Sequence, residues 1–162
     1  MENLTLKMLQ YKRWANEITF TALSETSTFE LTKQRPTNFG NILHTLNHVY
    51  VVDDIFKHHL LGKKHGYTSR NTPFTPTLIE LKAQQSQMDE WYIDYISNLT
   101  SDRLETPVSF VFVDGGKGTM TIAEIIMHCV NHGTYHRGLV SDMMYQIPIR
   151  PPANDLSVFL TL

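Results

Sequence analysis

Most of the eight histidines in this chain fall inside two strongly periodic stretches, among them His44, His48, His128, His132 and His136. His132 and His136 are spaced i, i+4, which on a helix sets them one turn apart on one face. The apolar residues Ile122, Ile125, Cys129, Leu139, Val140 and Met143 share that face, so both imidazoles project into the stripe that a helix turns toward a core. An inward histidine needs partners for its ring nitrogens, because burying an unpaired polar group costs ~1–3 kcal/mol. Two arrangements meet that need. The rings can bond backbone and hydroxyl groups as ordinary core histidines, or they can converge on a divalent cation, as in the helical i, i+4 pairs that bind zinc. His128 continues the row at the edge of the stripe, about 12 Å along the axis from His136, so one ion reaches two neighbours of the row but not all three.

A third ligand then has to come from a facing helix, since side chains on opposed helices wall the metal sites of bundles. The stretch carrying Ile42, Val49, Val52, Phe56 and Leu60 on one face supplies His44, His48 and His59. His48 flanks the apolar face and His44 points farther out. His59 shares the angle of His48 but sits near the helix end beside Gly62, and spacing alone leaves both available.

These stretches imply a set of elements. Leu4, Met8, Tyr11, Ala15, Ile18 and Ala22 repeat at spacings of three and four and predict a first helix over about 3–25. The polar run 24–36 breaks it, and Thr37 or Asn38 is placed to cap a second helix that stops near Gly62. Pro73 and Pro76 exclude a helix interior from the loop that follows. Thr77 and Glu80 form a capping box that opens a third helix with the stripe Leu78, Leu81, Gln85, Met88, Tyr92, Tyr95 and Leu99. From Pro107 to Met120 the period shortens to two around Val108, Phe110 and Phe112, predicting a short hairpin through Asp114-Gly115-Gly116-Lys117-Gly118. That turn lacks the spacing and the βαβ context of a phosphate-binding loop. Thr121 and Glu124 repeat the capping box and open a fourth long helix to about Tyr145, and Asn154 is placed to cap a last short helix over 155–160. The expected fold is all-α: a single domain over 1–162, a four-helix bundle with a hairpin excursion before the fourth helix and a short C-terminal helix.

Composition narrows the partners. Fourteen basic residues stand against sixteen acidic ones with no basic block, so a nucleic-acid footprint is not expected. The opening residues lack a signal pattern, and no run approaches the ~18 apolar residues of a membrane span. With Cys129 as the one cysteine, a reducing compartment and a cytoplasmic location are expected.

The pattern Tyr11-Lys12-Arg13-Trp14-Ala15-Asn16, the run Leu43-His44-Thr45-Leu46-Asn47-His48-Val49 and the run Asn131-His132-Gly133-Thr134-Tyr135-His136-Arg137-Gly138 together resemble the DinB family, a likeness that extends to Asp155-Leu156. The resemblance implies a DinB/YfiT-like four-helix bundle, often a homodimer, whose three-histidine metal site falls on His48, His132 and His136. His44 and His128, each one turn before an implied ligand, are left as partners of the ligands, proton carriers or surface residues, whether His59 contributes is left open, and Tyr135 and Arg137 are expected to bond neighbouring helices.

Three neutral imidazoles leave a divalent ion its full charge and open coordination positions, as in catalytic sites. Zinc or nickel is the expected ion, with iron or manganese also compatible with the ligands. The leading expectation is a thiol S-transferase-like enzyme in which a metal-activated low-molecular-weight thiol attacks a small electrophilic substrate, an activity that the resemblance favours. A metal-dependent hydrolase is the alternative. A third reading is a non-catalytic metal- or ligand-binding helical dimer linked to stress or DNA damage. No acid, base or thiol-recognition motif separates them, and no catalytic residue beyond the ligands is assigned.

Overall fold

The computed structural model of the protein describes residues 4–162; the expected helix start at residue 3 lies outside them. Helix α1 runs over Leu4–Leu23. A five-residue helix that the polar composition of 24–36 concealed, α2 (Thr28–Thr32), follows, capped where the Ser27 side chain accepts from the Glu30 N–H. Helix α3 spans Ile42–Leu60 and is capped by Asn41, whose Oδ1 accepts from the His44 N–H at 2.8 Å. The expected cap at Thr37 or Asn38 is therefore four or so residues early. Gly40 takes φ +76°, a left-handed conformation that stops a helix from passing through it, and the Thr37 hydroxyl instead accepts from the Gly40 N–H at 3.1 Å to close a turn.

Helix α4 (Leu78–Ser97) and helix α5 (Ile122–Tyr145) begin at the two expected capping boxes, Thr77 with Glu80 and Thr121 with Glu124, each making both reciprocal bonds. Between them lie a 3₁₀ turn over Ser101–Glu105 and the hairpin, β1 (Pro107–Val111) antiparallel to β2 (Lys117–Thr121) with Ser109 opposite Thr119. The last helix, α6, is confined to Leu156–Phe159 and its preceding residue is Asp155. Asn154 does not cap it. Its carbonyl accepts from the Tyr11 hydroxyl at 3.0 Å and its amide donates to Thr19 at 3.3 Å, so it ties the C-terminal segment to α1.

The four long helices form a ring in which α1 packs on α4 and α5, and α3 packs on α5 and α4. The fold is thus the all-α bundle that the periodicity implies. None of its helices is long and apolar enough to cross a membrane among the described residues. Two apolar clusters fill the interior: one holds Val52, Met88, Tyr92, Ile125 and Cys129, the other Leu23, Leu46, Leu81, Val140 and Met143. Each long helix also turns polar side chains inward, within or between these clusters: Lys12 and Asn16 on α1, His48 and Asp53 on α3, Gln85 and Asp89 on α4, and His132, His136 and Arg137 on α5. These inward polar side chains form a belt, and two polar clusters are drawn from it.

Candidate metal centre

The belt's histidines meet where α3 faces α5. One ring nitrogen from each of His48, His132 and His136 lies within 4.8 Å of the others, and no carboxylate or thiol among the described residues joins the group. His48 and His136 are buried and His132 is half-buried. The two helices supply them for different reasons. On α5 the i, i+4 spacing brings His132 edge-on to His136, ring centroids 4.5 Å apart; on α3, His48 arrives from the facing surface, its Nε2 3.0 Å from His132 Nε2.

Two loop residues that helical periodicity could not reveal hold His48 in place. Its Nδ1–H donates to the Arg70 carbonyl at 2.9 Å, which fixes the tautomer and leaves Nε2 with its lone pair toward the other rings. Phe39, swung inward by the Gly40 turn, stacks on the His48 ring at 4.2 Å and 23° and meets His136 edge-on at 5.4 Å.

Burial pushes the pKa of all three rings down. His136 falls to about 4 and His132 to about 2, the latter further depressed by His136 and His48 beside it; His48 is also lowered. All three are therefore neutral near pH 7, the form that ligates metal. The Nδ1 atoms of His132 and His136 are buried and have no protein partner. Three neutral imidazoles with converging nitrogens and no fixed countercharge fit a divalent cation. Two tetrahedral ligand nitrogens at about 2.0–2.1 Å from an ion stand roughly 3.3 Å apart, a few tenths of an ångström beyond the His48–His132 separation.

The remaining histidines separate cleanly. His59, which the helix wheel ranks only modestly behind His48, stacks on Phe110 at 5.0 Å and stays outside the group. His128 packs between Phe56, at 4.7 Å, and His132, at 5.7 Å. His44 Nδ1 pairs with the Thr75 hydroxyl at 3.3 Å. Arg137 bonds α1 as expected, donating to Asn16 Oδ1 at 2.9 Å. Tyr135 does not bond a neighbouring helix; it is exposed and stands edge-on to His136 at the wall of a cleft. That cleft, of about 830 Å³, has the three histidines as its floor and Phe56, Phe112 and Tyr135 among its walls.

Behind α5 the rest of the belt forms a closed network that the sequence reading missed. Lys12 Nζ donates to Asp53 at 2.7 Å and to Asp89 at 2.6 Å, Asn16 donates to Asp89 at 2.8 Å, and Gln85 donates to both carboxylates. Burial alone would lower the Lys12 pKa, but the two carboxylates outweigh it and hold the ammonium above its usual value. The signal was present: Lys12, Asp53 and Asp89 each lie among apolar neighbours on a periodic helix.

A family model described as the DinB family matches residues 1–161. The chain is 26% identical over 166 residues to Protein DinB of Bacillus subtilis (strain 168), covering 99% of this chain and 95% of that one. It also superposes on the crystal structure of a DinB-like protein from Bacillus cereus ATCC 10987 with a TM-score of 0.69 at 18% identity, covering 90% of this chain and 94% of that one. The chain belongs to the DinB family.

Proposed function

We propose that this DinB-family chain is a metal-dependent thiol S-transferase-like enzyme, with His48, His132 and His136 as ligands of one divalent ion. The observation that carries the reading is the floor of the cleft: three neutral imidazoles converging under an open volume with no fourth protein ligand among the described residues. An ion held there would supply Lewis acidity, lowering the pKa of a thiol that shares the cleft.

The cleft favours a thiol over water as the nucleophile. An ion of this kind would bring the pKa of a bound water to about 7 but would deprotonate a bound thiol outright, so a thiol would need no assisting base. Among the residues lining the cleft the one carboxylate is Asp114, and its side chain is exposed at the solvent side. The chain's own contribution is binding and placement. Phe39 and the Arg70 carbonyl hold His48, and Phe56, Phe112 and Tyr135 offer apolar surface against which the carbon skeleton of an electrophile can pack. In the reaction, the sulfur forms a bond to an electrophilic carbon, the thiol proton is given up to solvent or buffer, and the leaving group departs with the bonding electron pair.

The test is twofold. Elemental analysis of protein purified without chelator or a histidine tag should find close to one equivalent of a divalent metal in the wild type and loss of it in His48→Ala, His132→Ala and His136→Ala. Metal-loaded protein should then accelerate conjugation of a chloronitrobenzene electrophile by a common cellular thiol, and chelation should abolish the acceleration. Retained metal in all three variants would end the ligand assignment, and inactivity with every common cellular thiol would end the transferase assignment.

A further inference from the structure

The cleft has one formal cation and one formal anion in its lining, Arg70 and Asp114. They touch once, Arg70 Nη2 to Asp114 Oδ2 at 3.4 Å, with their side chains 52% and 69% exposed. A guanidinium and a carboxylate in their preferred arrangement make two short parallel bonds. This contact is single, long and wet, and such pairs hold little energy. It engages one of the five N–H donors of Arg70.

We propose that the cleft takes a small organic anion, a carboxylate carried on an apolar body, with the Arg70 guanidinium as its counter-charge after exchange from Asp114. Four features of the structure point there. Arg70 reaches the site at both ends: its carbonyl holds His48, and its side chain lies on the cleft's solvent side, so a ligand bonded to the guanidinium is placed within the same cleft as the histidine floor. Asp114 does not lose its last partner on exchange, because its Oδ1 accepts from the Gly116 N–H at 3.2 Å within the hairpin turn. Thr68, Ser69 and Asn38 line the cleft with Arg70 and offer further hydrogen-bonding groups to a carboxylate. The lining also includes the apolar side chains of Phe56, Phe112 and Val113, which suit a hydrocarbon or aromatic body. The proposal rests on the metal reading for one element: a divalent charge at the floor adds to the attraction for an anion and disfavours a cation that would seek Asp114.

The probes are 3-phenylpropionate and its neutral amide, 3-phenylpropanamide, titrated calorimetrically into the metal-loaded protein. The carboxylate should bind the wild type at least about fivefold tighter than the amide, a ratio in keeping with one charge-assisted contact near the surface. Arg70→Gln, which keeps the main-chain carbonyl that holds His48, should erase the preference with metal content unchanged. Arg70→Lys should retain part of it, and Asp114→Asn should raise carboxylate affinity about two- to threefold by removing the competitor. Equal affinities, or no binding of either probe, would overturn the proposal. So would a preference that survives Arg70→Gln, since the carboxylate would then be bound elsewhere, at the floor. The thiol reading is checked separately with cobalt(II)-loaded protein and uncharged 2-mercaptoethanol, which should develop a sulfur-to-cobalt charge-transfer absorption. That absorption without a carboxylate preference removes the anion proposal alone; a carboxylate preference without the absorption supports the anion proposal and removes the thiol assignment alone.

Discussion

His136 and Arg137 are neighbours on α5, yet they enter polar clusters of opposite character. Arg137 points to the closed side, where Lys12, Asp53, Asp89, Gln85 and Asn16 exchange bonds of 2.6–3.1 Å out of reach of water. His136 points to the open side, where three rings gather, the Nδ1 atoms of His132 and His136 unpartnered and nothing charged among them. One cluster carries its own countercharges and is nearly complete; the other has acceptors but no cation. Buried charge inside a small bundle is tolerable only when paired, so the closed cluster is expected to specify how α1, α3 and α4 sit against each other. The open cluster contributes little until something positive enters.

The sharpest way to break that contrast is to remove one partner from each side. Lys12→Met leaves two carboxylates buried without their cation and should cost about 3–5 kcal/mol, read as a fall in the urea midpoint of chelated protein. His132→Ala under the same conditions should cost no more than about 1–2 kcal/mol, because the lost packing is offset by removal of an unpartnered buried nitrogen. Equal losses would mean that the histidines are as structural as the ion network. Adding the bound metal at a hundredfold over its dissociation constant should then stabilise the wild type by about 2.7 kcal/mol and leave His132→Ala unmoved.

Acid separates the clusters further. The folded-state pKa values of the three site histidines are depressed below the unfolded value of 6.5, to about 4 for His136 and about 2 for His132. Their neutral forms therefore favour folding. In chelated protein that contribution is complete above about pH 6.5 and is lost as pH falls toward 4 and below, where the unfolded chain binds the additional protons. Denaturant midpoints measured from pH 7.5 to 4.5 should fall with acid, and the fall should be shallower in His132→Ala. A slope identical in both proteins would remove these rings from the titration.

What the sequence made legible follows from what is local. The boxes at Thr77 and Thr121 and the hairpin after Pro107 are encoded within a few residues of where they act, and each lies where the spacing put it. The i, i+4 pair on α5 is local in the same sense. A wheel favours His48 only modestly over His59, because the choice depends on how far along α5 the facing helix lands. Phe39 and Arg70 sit in loops, where no period marks them, and Lys12 finds its carboxylates 41 and 77 positions away. A lysine inside an apolar stripe announces that it needs partners without saying which, and Asn154 shows the converse, a residue of cap-forming type drawn off by Tyr11 and Thr19.

Gly133 lies between the clusters and gives the finest test of how tightly the closed one is set. It is an interior helical residue, so alanine there should gain about 1 kcal/mol from propensity alone. The added methyl would meet Arg137 Nη1 at 3.1 Å and Lys12 Cε at 3.5 Å. Arg137 has little room to yield, because Nη1 is held by Asn16 and Nη2 donates to Thr134 at 3.0 Å. Overpacking of that kind costs about 1–3 kcal/mol, which should cancel the expected gain or turn it into a net loss of up to about 2 kcal/mol in Gly133→Ala. Metal content should stay at the wild-type level, since His132 and His136 face the cleft and not the network. A full 1 kcal/mol gain would show that the ion network has slack; a fall in bound metal would show that the two sides of α5 move together.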